Sequence, residues 1–173
     1  MPEDALRQID RFHPIPDAPE WAESWAEWLY FNGRGPGGRF YLTFLVGPPG
    51  RDGARGAGVR LQLDRNGTVE SFTGAAPIAD ADAMRAPNLT VGASSVTLDG
   101  MRYRIHLDLA DARGRRALGD LVVTGSPGKI VPPIEITGAQ GWRTGYVVPV
   151  MSGTLNGAVT VDGVSVALDG GTA

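Results

Sequence analysis

The stretch Val96-Thr97-Leu98-Asp99-Gly100-Met101-Arg102-Tyr103-Arg104-Ile105-His106-Leu107-Asp108-Leu109 alternates apolar and polar residues on both sides of an Asp-Gly pair. Met101, Tyr103, Ile105, Leu107 and Leu109 share one face, and Arg102, Arg104, His106 and Asp108 share the other. A period of two is the signature of a half-buried strand. Asp-Gly between two such runs is a hairpin turn, because both residues tolerate the positive φ that a tight turn demands. The stretch therefore reads as strand, turn, strand.

The same grammar recurs in both directions. Upstream, Val59, Leu61 and Leu63 alternate with Arg60, Gln62 and Asp64, and Asn66-Gly67 turns into Thr68–Thr73. Before that, Phe40, Leu42, Phe44 and Val46 share a face, preceded by Trp28-Leu29-Tyr30-Phe31 and a glycine-rich turn over Asn32–Gly38. Downstream come Leu121-Val122-Val123, then Tyr146, Val148 and Val150, then Leu155, Val159 and Val161, and Asp162-Gly163 leads into Val164, Val166 and Leu168. That makes about ten strand candidates without helical patterns between them, which disfavours a parallel βαβ sheet. Sequential hairpins predict an all-β antiparallel meander. A long meander hides its edges by closing, so an up-and-down β-barrel with room for one apolar ligand is the first expectation. A β-sandwich is the alternative. Residues 74–95 read as a loop with a helical turn and residues 125–141 as an irregular segment, both at a barrel end.

Composition narrows the function classes. The 173 residues suit one domain with a real core, and 42 % apolar with 20 % charged residues is ordinary globular usage. A net charge of −3 gives no global drive toward nucleic acid. Zero cysteines exclude disulfides, thiolate metal sites and cysteine nucleophiles. The first twelve residues carry Glu3, Asp4, Arg7, Asp10 and Arg11, which is no secretory leader, so a cytoplasmic chain is expected. No apolar run is long enough for a membrane span.

Residues 1–27 form an acidic lead-in with seven carboxylates against Arg7 and Arg11, and residues 28–173 form the barrel domain. Pro14, Pro16 and Pro19 forbid a continuous helix in the lead-in. Trp21, Trp25 and Trp28 have helical spacing, so a short turn near residues 19–26 is expected to anchor the segment on the barrel.

Several motifs tempt and fail. Gly33, Gly35 and Gly38 match a dinucleotide fingerprint, but a strand follows and Pro36 sits inside. Gly47–Gly56 resembles three collagen triplets and reads as a flexible loop, while the six arginines of Arg34–Arg65 read as solvated loops. Only His13 and His106 are present, so no metal cluster is expected. His106 beside Asp108 is a weak acid–base pair. Glu27, entering an aromatic strand, is either a weak candidate acid or the partner of an arginine.

The run Glu27-Trp28-Leu29-Tyr30-Phe31-Asn32-Gly33, then Gly38-Arg39-Phe40-Tyr41, resembles the opening of the carotenoid 1,2-hydratase and AttH-like family. Gly145-Tyr146-Val147-Val148-Pro149-Val150, Ser152-Gly153-Thr154-Leu155 and Gly170-Gly171-Thr172-Ala173 are similar to the end of that family's first domain. The resemblance implies a lipocalin-like (calycin-like) barrel packed on a second lipocalin-like domain or chain, around a site for an isoprenoid or polyene. It implies hydration or cyclisation by protonation of a C=C bond, without a cofactor. Aromatic faces would stabilise the resulting carbocation, which makes Trp28, Tyr30, Tyr41, Tyr103, Trp142 and Tyr146 the candidate ligand-binding residues. The family's polar site segment follows the position matching Ala173, so catalysis is expected of the complete protein and not of this chain alone. A non-catalytic carrier or a structural domain is the competing expectation.

Overall fold

The turns form where backbone conformation selects them. Asn66 and Gly67 sit at φ 55° and 82°, and Asp162 and Gly163 at φ 50° and 78°. This is the left-handed pair that matches the twist of a two-residue hairpin. The computed structural model describes residues 3–50 and 53–173, apart from the side chains of Glu3 and Asp4. Arg51 and Asp52, in the expected flexible loop, and Met1 and Pro2, in the lead-in, lie outside the described residues.

Among the described residues thirteen strands follow in chain order: β1 (Glu27–Gly35), β2 (Gly38–Pro49), β3 (Arg55–Arg65), β4 (Thr68–Ile78), β5 (Leu89–Val91), β6 (Ser94–Asp99), β7 (Arg102–Ala110), β8 (Arg116–Gly125), β9 (Val131–Thr137), β10 (Arg143–Val148), β11 (Gly153–Val161), β12 (Val164–Ala167) and β13 (Gly171–Thr172). The described residues also hold three short α-helices, α1 (Glu3–Ile9), α2 (Pro19–Ala22) and α3 (Asp80–Ala83), and a 3-10 turn at Ala139–Gly141. Every pairing is antiparallel, as the hairpin pattern predicts. Strands β1, β2, β3 and β4 run neighbour to neighbour, β4 meets β7, and β7, β8, β11 and β13 return to β1. The sheet therefore closes on itself in part. Two seams are thin: β4 meets β7 at Thr73↔Ala110, and β1 meets β13 at Arg34↔Thr172. The hairpin β5–β6 hangs on β7, and β9–β10 form a separate two-stranded ribbon.

Side chains fill the interior. Phe40, Leu42, Phe44, Leu61, Leu63, Phe72, Leu107 and Leu155 have no exposed surface. Such filling is usual for a ring of about eight strands. The lead-in belongs to the same core through Leu6, Phe12 and Trp25, with Phe12 and Trp25 edge to face at 6.0 Å. It crosses the end of the barrel where β1, β3 and β7 begin. His13 meets Glu27 there, Arg55 donates to the Ala22 carbonyl, and Arg7 donates to the Leu98 carbonyl.

Some local expectations change. The glycine-rich turn shrinks to Pro36-Gly37, because Gly35 pairs with Gly38 and β1 continues through Gly33. Glycine is required at these strand positions by crowding. A Cβ on Gly33 would meet the Phe40 ring at 2.8 Å, and one on Gly35 would meet the Leu168 backbone at 2.5 Å. Arg34–Arg65 is mostly strand and not a pair of loops. Residues 74–95 hold the expected helical turn as α3 but also the end of β4 and β5, and residues 125–141 hold β9. Their prolines and small residues hid strands whose ladder bonds come from distant partners. The unexpected α1 is a single short helix whose Leu6 is fully buried. The three tryptophans do not share a helix face: Trp21 lies in α2, Trp25 is buried beyond it, and Trp28 opens the outer face of β1.

Candidate functional site

The six aromatic candidates occupy three places. Tyr103 alone points inward, edge to face with Phe31 at 5.2 Å. Trp142 and Tyr146 stand exposed on the ribbon, where Tyr146 is directly opposite Ile134 and Trp142 folds over Gly138 at the turn. Trp28, Tyr30 and Tyr41 come together on the outside of the first hairpin.

Alternation and register build that outer face. Leu29 and Phe31 face the core opposite Phe44 and Leu42, so Trp28, Tyr30, Asn32 and Arg34 must face out. Across the ladder they meet Leu45, Thr43, Tyr41 and Arg39 in that order. Trp28 is 47 % exposed, Tyr30 52 %, Tyr41 38 % and Leu45 42 %, so each is half covered by its neighbours and half offered to solvent. Partial burial, with Tyr41 adding to it, raises the Tyr30 phenol above its ordinary value. The face thus grades along the strands from aromatic and aliphatic at Trp28–Leu45, through Asn32–Tyr41, to cationic at Arg34–Arg39. Beside its cationic end lies a groove of ≈ 220 Å³ lined by Asn32, Arg34, Arg39, Tyr41, Thr172 and Ala173, among others. A second hollow, ≈ 400 Å³, is lined by Ala57, Ala75, Ala76 and Pro77 over the buried Arg55.

A polar site that sequence reasoning missed lies under the lead-in. The Tyr103 hydroxyl donates to Asp10 Oδ2 at 2.7 Å, across 93 residues of chain. Burial pushes the Asp10 carboxyl from 3.8 up to about 7, and the hydrogen bond from Tyr103 offsets only part of that cost. Burial and the neighbouring Asp10 push the Tyr103 phenol up as well, against the opposing charge of Arg7. Nothing local marks Asp10 in the sequence, since it is one of seven carboxylates in the lead-in.

Arg55 is the other hidden element. It is 3 % exposed, with Nε on Asp80 at 2.7 Å, its guanidinium 4.9 Å from the Trp25 ring, and Nη1 on the Ala22 and Gly47 carbonyls. That arrangement ties the lead-in to β3 and α3.

The remaining candidates resolve into surface pairs. Glu27 pairs with His13 Nδ1 at 2.7 Å, not with an arginine. His106 pairs with Asp120, its direct cross-strand neighbour on β8, at 2.8 Å, while Asp108 is held by the long side chain of Arg116, diagonally across the same ladder. Both members of the His106–Asp120 pair are well exposed. Among the described residues, no three His, Asp or Glu side chains are grouped to hold a metal ion. No helix of the described residues is long and apolar enough to cross a membrane. Comparison with protein-family models, with curated proteins and with solved structures finds no match to this chain.

Proposed function

We propose that this chain is a non-catalytic binding domain for an apolar small molecule, and that it binds on the outer face of its first hairpin. One observation carries the reading: Trp28, Tyr30, Tyr41 and Leu45 stand adjacent and exposed outside a barrel whose inside is filled with side chains. A contiguous exposed apolar patch marks a contact surface. Tyrosine and tryptophan suit a flat apolar ligand because their polar tips stay in water while their rings are covered. The test is calorimetric titration of the full chain with an acyclic polyene. Trp28→Ala combined with Tyr30→Ala is expected to weaken binding at least tenfold, while thermal stability stays within about 1 kcal/mol because both residues are surface-exposed. Unchanged affinity overturns the reading.

A second reading is the hydratase or cyclase chemistry on an isoprenoid, completed by a second lipocalin-like domain. Asp10 is the observation that favours it. A carboxyl pushed up to about 7 holds its proton in a large share of molecules at neutral pH, as protonation of an alkene requires. In that reading the complete protein adds one water to an acyclic carotenoid, or cyclises its substrate, and Asp10→Asn abolishes the product. Retention of product formation by the variant removes Asp10 from the role.

A further inference from the structure

The graded face has a cationic end that the apolar-ligand reading does not use. Arg34 and Arg39 stand directly opposite each other across the β1–β2 ladder, both exposed. Like charges in register on one face of an antiparallel pair are destabilising. Neither guanidinium has an ion pair or side-chain hydrogen bond among the described residues, whereas Arg55, Arg65, Arg85, Arg104, Arg115, Arg116 and Arg143 each have an ion pair. The nearest carboxylate in register is Asp64, opposite Arg39 on β3, and its Oδ1 accepts the Gly67 N–H at 2.9 Å instead. The two arginines line the ≈ 220 Å³ groove, together with Asn32 and Tyr41, whose side chains carry an amide and a hydroxyl. These are the donor types that surround a carboxylate or phosphate oxygen.

The apolar half of the same face begins one residue pair away and ends at Trp28. Six residues of strand separate Trp28 from Arg34, about 20 Å at the usual rise. Charge and apolar surface are therefore arranged end to end along one line and not intermixed.

We infer that the outer face of β1–β2 is a site for an anionic amphiphile. Its carboxylate or phosphate head sits between Arg34 and Arg39 in the groove, and its hydrocarbon body runs along Tyr41, Tyr30 and Trp28. The inference rests on the outer-face reading above and adds the ligand's charge, its polarity and its direction. Bidentate guanidinium contacts favour an anion over a neutral polar head, and a bound anion relieves the repulsion between the two arginines.

The test compares palmitate, hexadecyl phosphate and hexadecanol, titrated below their aggregation limits into the full chain at low and at moderate salt. The expected result is that both anions bind at least tenfold more tightly than the alcohol, and that salt narrows the gap. Which anion binds better identifies the head group. Arg34→Gln with Arg39→Gln is expected to bring the anions down to the affinity of the alcohol. The same variant is expected to unfold at a temperature no lower than the parent, which shows that its loss is not unfolding. Equal binding of all three probes overturns the anionic site and leaves the apolar face standing. Binding of none overturns both. Sedimentation of the chain with phosphatidylserine vesicles, without binding of monomeric palmitate, also overturns the site, since the face then meets a membrane surface.

Discussion

Asp10→Asn isolates a carboxyl that the fold forces toward its neutral form. In the unfolded chain Asp10 titrates near 3.8, and in the folded chain burial moves it up to about 7. The sign follows from which state holds the proton. Below 3.8 both states are protonated and the folded state keeps its full stability. Between 3.8 and about 7 the unfolded chain ionises first, so stability falls as pH rises. Above about 7 both states are ionised and the loss is complete. Each tenfold in ionisation is about 1.4 kcal/mol, so a fully dry site would lose about 4 kcal/mol over the whole interval. Asp10 keeps some solvent contact, which brings the expected loss down to about 2 kcal/mol between pH 5 and pH 8. The amide introduced by Asp10→Asn cannot ionise, yet it still offers an oxygen to the Tyr103 hydroxyl. Urea unfolding followed by tryptophan fluorescence at pH 5, 6, 7 and 8 reads the difference directly. The variant is expected to gain on the parent steadily with pH and to be the more stable protein at pH 8. Parallel stability curves would refute the buried site, and so would a parent that grows more stable across this range.

Two further perturbations test the scaffold. Asp80→Ala strands the buried Arg55 guanidinium and is expected to cost about 2 kcal/mol, whereas adding it to Arg55→Met costs nothing more, because no buried charge remains to be left unpaired. A double-mutant cycle by chemical denaturation measures that coupling, and strict additivity would show that the pair is solvated. Gly157→Ala places a Cβ 2.0 Å from the Asp120 carbonyl at φ +116°, so it is expected to part β11 from β8 and to cost more than about 3 kcal/mol. Gly67→Ala, at φ +82° with nothing within 4 Å, is expected to cost only about 1 kcal/mol, and thermal melts that rank the two in reverse would contradict the crowding at Gly157.

The all-β fold was legible because its signals are local. The alternation of Tyr103, Ile105, Leu107 and Leu109 needs only the period of a strand, whereas Met101, expected to share their strand, lies with Gly100 in the turn because Asp99 pairs with Arg102. Asn66-Gly67 and Asp162-Gly163 need only their own φ preferences. Core positions on β2 and β3 were equally readable, since Phe40, Leu42, Phe44 and Val46 have polar or mixed residues between them. The loops were misread where strands carry proline or glycine, as in β9 and at the hairpin end of β1, because pairing there is decided by the neighbouring strand.

The sites were not legible, and β1 shows why. Trp28 and Tyr30 carry large aromatic rings on one face and Leu29 and Phe31 large apolar side chains on the other, so alternation divides the strand into two faces without saying which is inside. Only the register with β2 chooses, and that register depends on a two-residue turn that the glycines at 33, 35, 37 and 38 disguise as a longer one. A slip of one residue would have turned Trp28 and Tyr30 inward and Leu29 and Phe31 outward. The amino-acid sequence by itself thus determined strands, turns and an antiparallel order, because these follow from dihedral preference and period. Tertiary structure alone decided that Trp28, Tyr30 and Tyr41 face out, that Arg34 meets Arg39, and that Asp10 reaches Tyr103. Those are encounters between distant residues, and closure of the sheet creates them.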